Sequence, residues 1–161
     1  MDPDNEVILS IRPSLGRRLL GTLSLAGLGV VMLPLVFRAT GIWPIVFAIS
    51  SIAVLLAARR LWYATDDYLE LTREELRTGS GRVLTRIDNV LGVDRGAFAF
   101  KPSNGFLVKL HKPAGSGWQP GLFWQRGRMI GVGGVLPAGQ SRAMAELITA
   151  LNDGTFDALT K

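Results

Sequence analysis

The sequence predicts an α+β membrane protein: a two-helix transmembrane hairpin near the N-terminus, then an antiparallel β domain closed by one terminal helix. Three observations predict it. Two long uncharged runs lie between Arg18 and Arg59, separated by Arg38, Ala39 and Thr40. From Asp66 onward, short segments alternate between apolar and polar residues and are punctuated by Gly, Pro and Asn. Finally, Met144, Leu147, Ile148 and Leu151 recur at the spacing of one helical face.

The first run, Leu19 to Phe37, has only Thr22 and Ser24 as polar residues. At ~1.5 Å per residue it reaches ~29 Å, close to the ~30 Å hydrocarbon thickness of a bilayer. Its apolar core is longer than a secretory signal needs, and no Ala-x-Ala-like cleavage site follows it. The second run, Gly41 to Ala58, ends at Arg59-Arg60. Neither run carries the polar stripe that a helix on the surface of a soluble protein keeps. The link between them is so short that the two helices must be antiparallel neighbours. Pro34 and Pro44 are expected to kink or shorten the helices near the connecting turn. Thr22-xxx-Ala26 and Ala53-xxx-Ala57 offer small residues for close approach, although such residues are common in any membrane helix.

The net charge is +5, from 18 Lys+Arg and 13 Asp+Glu. Arg12, Arg17, Arg18, Arg38, Arg59 and Arg60 precede Leu61, and most of them flank the apolar runs. The excess therefore reads as membrane topology, and no nucleic acid is expected as a partner. Arg17 and Arg18 before the first span and Arg59 and Arg60 after the second outweigh Arg38 in the turn, which puts both termini in the cytoplasm. Trp43 and Trp62 sit where aromatic interface belts lie. The expected organisation is a cytoplasmic segment over 1–18, a hairpin over 19–64 (spans about 19–37 and 41–58), a β domain over 65–154 and a tail over 155–161.

Within the β domain, Tyr68–Thr72 and Glu75–Thr78 read as strands around a turn, and Gly79-Ser80-Gly81 as a break. Arg82–Ile87 reads as a third strand, and Asp88–Val93 as a bend with a fourth. Ala97–Lys101 and Phe106–Leu110 flank Pro102-Ser103-Asn104-Gly105, with Asn-Gly as hairpin chemistry. A Gly/Pro-rich loop leads to a last strand over Arg128–Val135, where Gly131, Gly133 and Gly134 point to a bulge or the close approach of another backbone. Ser141 is the expected N-cap of the final helix, and Asn152-Asp153-Gly154 its stop.

The residues point to no catalytic site, metal or cofactor. With no Cys and one histidine, His111, neither a thiol nucleophile nor a His/Cys metal set can be assembled. Gly131-Val-Gly-Gly-Val-Leu puts Leu136 where a dinucleotide loop needs its third glycine, and no Gly-Lys-Ser/Thr phosphate loop is present. Ala114 and Trp118 occupy the outer positions that a nucleophile elbow around Ser116 would need as glycines. Asp66-Asp67 and Glu74-Glu75 are adjacent pairs whose side chains diverge in an extended chain. The spans contain no ionisable residue, which argues against an ion pathway.

The segment from Lys112 to Arg128 is the candidate interaction site. Trp118, Leu122, Phe123 and Trp124 alternate with glycines and prolines and are followed by Arg126 and Arg128. Trp and Arg are enriched both at protein interfaces and at the bilayer surface, so a partner subunit or the membrane is the expected contact. The competing reading is that a tryptophan here closes the core.

The lead-in Glu6–Leu9, the helix pair, Tyr68-Leu-Glu-Leu-Thr-x-Glu-Glu-Leu-Arg77, Arg86-Ile-Asp-Asn-Val90 and the closing helix together resemble the bacterial pleckstrin-homology-like membrane proteins. The resemblance covers most of the chain as a pattern of element order and apolar positions. It implies a bent antiparallel sheet plugged at one end by the helix, no shared catalytic residues and a place in the bacterial inner membrane. The expected function is non-catalytic binding of a partner membrane protein, as an accessory subunit or assembly factor. The alternative is a membrane-anchored module that senses anionic lipid head groups.

Overall fold

The computed structural model describes residues 6–96 and 102–156. Its elements run β1 (Val7–Ile11), α1 (Leu15–Arg38), α2 (Trp43–Ala64), β2 (Leu69–Thr72), β3 (Glu75–Thr78), β4 (Val83–Arg86) and a 3-10 turn (Ile87–Asn89). They continue with β5 (Val90–Asp94), β6 (Phe106–Leu110), β7 (Gly117–Gln119), β8 (Phe123–Arg126), β9 (Met129–Val132) and α3 (Ala138–Asn152). Leu15–Ala64 form one compact unit, and the chain before and after them forms another.

In the helical unit, both helices are long and apolar enough to cross a bilayer. They extend beyond the apolar runs, because Arg17, Arg18, Arg59 and Arg60 interrupt hydrophobicity without interrupting helix. α1 continues through Pro34, and Pro44 falls in the first turn of α2, where its missing N–H is not needed. Gly41, at φ +69°, forms the turn. The helices meet at Gly29 and Ser51, both buried, where the Ser51 hydroxyl donates to the Gly29 carbonyl at 2.7 Å. A Cβ on Gly29 would stand 2.7 Å from Leu55 Cγ. Ala58 is buried, whereas Ala53 and Ala57 of the expected small-residue motif are exposed.

The β unit contains two antiparallel sheets. One has the order β1-β2-β3-β4 and the other β5-β6-β9-β8-β7. Strand alternation buries Leu69 and Leu71, while Glu70 stands opposite Arg77 and pairs with it at 2.9 Å. Hydrogen bonding to Glu70 raises the Arg77 pKa, partly offset by desolvation. The Thr72 hydroxyl accepts the N–H groups of Glu74 (3.3 Å) and Glu75 (3.0 Å), closing the expected turn. Leu76, Leu84, Phe106, Val108, Ile130 and Val132 fill the core, and α3 covers it with Met144, Ala145 and Ile148.

Several expectations change. The segment before the hairpin is not a mere lead-in: Val7–Ile11 is a strand, with Ile11 opposite Leu69 and fully buried. The helical hairpin is thus an insertion between two hydrogen-bonded strands. β6 pairs with β5 and β9, so both of its edges are occupied. Ala97–Lys101, expected as its hairpin arm, lies outside the described residues. The supposed long loop contains β7 and β8, and β9 stops at Val132, because Gly133 (φ +147°) and Gly134 (φ +111°) leave extended backbone. α3 begins four residues early, capped by Pro137, whose carbonyl accepts the Ser141 N–H at 3.0 Å. Ser141 lies inside the helix and is buried.

Candidate functional site

The β7–β8 hairpin gathers the aromatic segment. Trp118 stands opposite Trp124, which in turn stands opposite Gly131 on β9. Period-two alternation then divides the neighbours. Phe123 turns into the core at 2% exposure, whereas Trp118 on the outer face is 60% exposed. Leu122, in the turn between the strands, is fully buried. Leu122 and Phe123 are therefore core residues, with little surface of their own left exposed. Trp124 is half-buried because its indole lies over Gly131, and a side chain at 131 would meet the ring. The glycine is the space that lets the tryptophan lie flat on the sheet.

Arg126 and Met129, opposite each other in register, form the next outward row; Arg126 and Arg128 are exposed. The six residues of the aromatic segment thus separate into a surface set (Trp118, Arg126, Arg128), a half-buried Trp124 and a core pair.

The hairpin is braced from the other sheet. The Arg82 guanidinium donates to the Ser116 carbonyl at 3.2 Å and lies 5.6 Å from the Phe123 ring centre. Gln125, buried, donates to the Leu84 carbonyl at 2.9 Å, satisfying an inward-facing acceptor.

Beside the tryptophans is an open groove of about 350 Å³, lined by Pro102, Trp118, Gln119, Gly121, Leu122, Phe123, Trp124, Gly133 and Gly134. Its lower wall is backbone against backbone: a Cβ on Gly134 would sit 2.7 Å from the Gly121 carbonyl oxygen. The close approach expected of this glycine run is present. The groove as a unit was not legible, because Pro102, Gly121 and Gly134 are far apart in sequence. The glycines at 121, 133 and 134, which take positive φ, are the trace of it that the sequence carries.

The chain segments on either side of the helical unit are bonded around this groove. The N–H of Ser14, the residue before α1, donates to the Val135 carbonyl at 3.1 Å, and Val135 N–H donates to Gly121 at 3.0 Å. After α2, the Asp67 carboxylate accepts the Ser80 hydroxyl (2.8 Å), the Tyr68 N–H (2.9 Å) and the Gln119 amide (3.4 Å). Arg12 lies over the Tyr68 ring at 4.5 Å.

In the helical unit, the flanking residues pair as cation and ring. The Arg18 guanidinium lies 4.2 Å from the Trp62 ring and donates to the Trp62 carbonyl at 2.8 Å, and Arg59 lies 5.7 Å from the Tyr63 ring. Arg17 and Arg60 are exposed, as is Trp43, whose ring centre is 6.0 Å from that of Phe47.

Among the described residues, no three His, Asp or Glu side chains gather where a metal could bind. His111 is exposed at the end of β6. Comparison of the chain with protein-family models, with curated proteins and with solved structures finds no match.

Proposed function

We propose that this chain is an inner-membrane protein whose helix pair inserts as a hairpin, with both termini cytoplasmic. Its β domain, of pleckstrin-homology-like type, acts without catalysis by binding a partner membrane protein. One observation carries the reading: the hairpin is inserted between the paired strands β1 and β2. The β domain is therefore held by two short connections, residues 12–14 and 65–68, rather than by one flexible tether. A domain tied at two points to a membrane anchor has already lost much of the freedom that association costs, which favours capture of a partner diffusing in the same membrane.

The absence of Cys makes the topology directly testable. A membrane-impermeant maleimide is expected to label Thr40→Cys in intact spheroplasts, and Asp153→Cys only after lysis. Labelling of both before lysis would overturn the orientation. A photo-crosslinking residue at exposed Leu91 or Met129 is expected to give one discrete protein adduct in membranes. Adducts with lipid alone at every exposed position would overturn the protein-partner reading.

Anionic head groups are the second reading, favoured by the cation–ring pairs Arg12–Tyr68, Arg18–Trp62 and Arg59–Tyr63. Each surface cation contributes about 1 kcal/mol near an anionic leaflet. Salt-sensitive enrichment of anionic lipid around the purified protein would favour it.

A further inference from the structure

We propose that the groove beside Trp118 is filled by phospholipid of the bilayer that holds the hairpin, so that the β domain touches the membrane through its own aromatic surface. The inference rests on the membrane reading of α1 and α2, and goes beyond it by giving the groove an occupant.

The two chain segments entering and leaving the hairpin are both bonded to the loops around this groove. Ser14, which immediately precedes α1, is bonded to Val135, and Val135 is bonded to Gly121 in the groove wall. Asp67, three residues after α2 ends at Ala64, is bonded to Gln119 in the opposite wall. Three residues span at most ~10 Å. Ser14 precedes Leu19, where the first uncharged run begins, by five positions, about 7.5 Å of helix rise. The head-group layer on each side of the hydrocarbon is itself about 5–7 Å deep. On the other side, Ala64 lies six positions, about 9 Å of helix rise, beyond Ala58, where the second apolar run ends. Chain length therefore limits how far the groove walls can lie from the ends of the two apolar runs.

The lining suits that place. None of the described residues lining the groove is charged, and Trp118 is 60% exposed at its rim. A tryptophan combines a large apolar ring with one N–H donor, which matches the interface between acyl chains and head groups. Arg126, exposed, is on the next outward row of β8 after Trp124. The volume, about 350 Å³, is at the lower end of the range of small-ligand sites. It suits one segment of a lipid better than a folded partner.

The test uses the full chain in phosphatidylcholine nanodiscs, with and without bromine on the acyl chains near the glycerol. One variant keeps Trp118 alone (Trp43→Phe, Trp62→Phe, Trp124→Phe), and a second keeps Trp43 alone. Loss of Trp118 emission in the brominated discs is the expected result. If Trp43 is quenched and Trp118 is not, the inference is overturned while the hairpin stands in the membrane. If Trp43 is not quenched either, the membrane reading falls and the inference falls with it. Because Trp124 packs on Gly131, a single substitution provides a second measurement that does not disturb it. A nitroxide on Trp118→Cys is expected to collide with oxygen more than with an aqueous nickel complex, relative to a nitroxide on exposed Asp153→Cys. Collision dominated by nickel at both positions overturns the inference.

Discussion

Cutting the chain after the helices should not release a folded β domain. β1 lies before the hairpin, and Ile11 is wholly buried in the core opposite Leu69. A fragment of residues 65–161 therefore loses an entire edge strand. The missing Ile11 side chain alone is worth roughly 2–5 kcal/mol, judged from Ile-to-Ala truncations in cores. Each ladder hydrogen bond to β2 adds about 0.5–1.5 kcal/mol. Leu9, packed against the same core, is lost as well. The sum reaches the lower part of the roughly 5–15 kcal/mol by which domains are stable. The fragment is expected to be unfolded or aggregated, with the edge of β2 open to pairing with other chains. The complementary chain joins Arg12 to Asp67 through a short Asn-Gly turn, which suits two antiparallel strands in this register. That chain should be soluble and should unfold cooperatively in urea, followed by tryptophan emission and near-ultraviolet circular dichroism. Equal urea midpoints for the fragment and the stitched chain would refute the assignment of β1 to this sheet.

Other outcomes follow from the same geometry. Ile148→Ala, on the buried face of α3, should lower the stability of the β unit by about 2–5 kcal/mol, read as a fall in melting temperature of the detergent-solubilised chain. Gly134→Ala combines φ +111° with a clash against the Gly121 carbonyl, and should cost roughly 1–3 kcal/mol in the same assay. Between the helices, Ser51→Ala should weaken association by only about 0.6 kcal/mol, the average for such bonds in membranes. Gly29→Leu should do far more harm, and disulfide formation between Gly21→Cys and Leu61→Cys would rank the two, since Gly21 faces Leu61. Arg77→Met should remove about 0.2–1 kcal/mol from its half-buried pair with Glu70. Because the folded-state pKa of Arg77 is raised, that contribution is full at neutral pH and is lost only in strong alkali. The loss should therefore be the same in melts at pH 6 and pH 9.

What was legible in the sequence was what neighbouring residues decide between themselves. Uncharged length marks α1 and α2, and a polar turn between alternating runs marks β2 and β3. Spacing along one face marks α3. What was hidden depends on distant partners. Val7–Ile11 is strand only because Leu69–Thr72 lies beside it, and Ile11 and Leu69 are 58 positions apart. β7 and β8 have three and four residues in a glycine- and proline-rich stretch. Trp118 against Trp124, and Trp124 over Gly131, hold them together, and no single-strand pattern records such pairings. The aromatic site was found as a stretch of sequence but not as a surface. Separating core Phe123 from exposed Trp118 required knowing that strands run there. Ser141 was misassigned as a cap because a favourable residue type in the first turn of a helix, here its fourth residue, looks the same as one at its start.

The split between β1 and β2 also sets an order of events during synthesis. The ribosome completes β1 first, then both greasy helices, and only afterwards the strand that β1 needs. At about 5–20 residues per second, the 58 positions from Ile11 to Leu69 take on the order of 3–12 s. For that interval β1 has no mate, so both helices are complete before any folded β domain can compete with them. A chain whose helices failed to insert would bring its strands together around an unplaced greasy loop. The β domain thus cannot close until both helices have been synthesised.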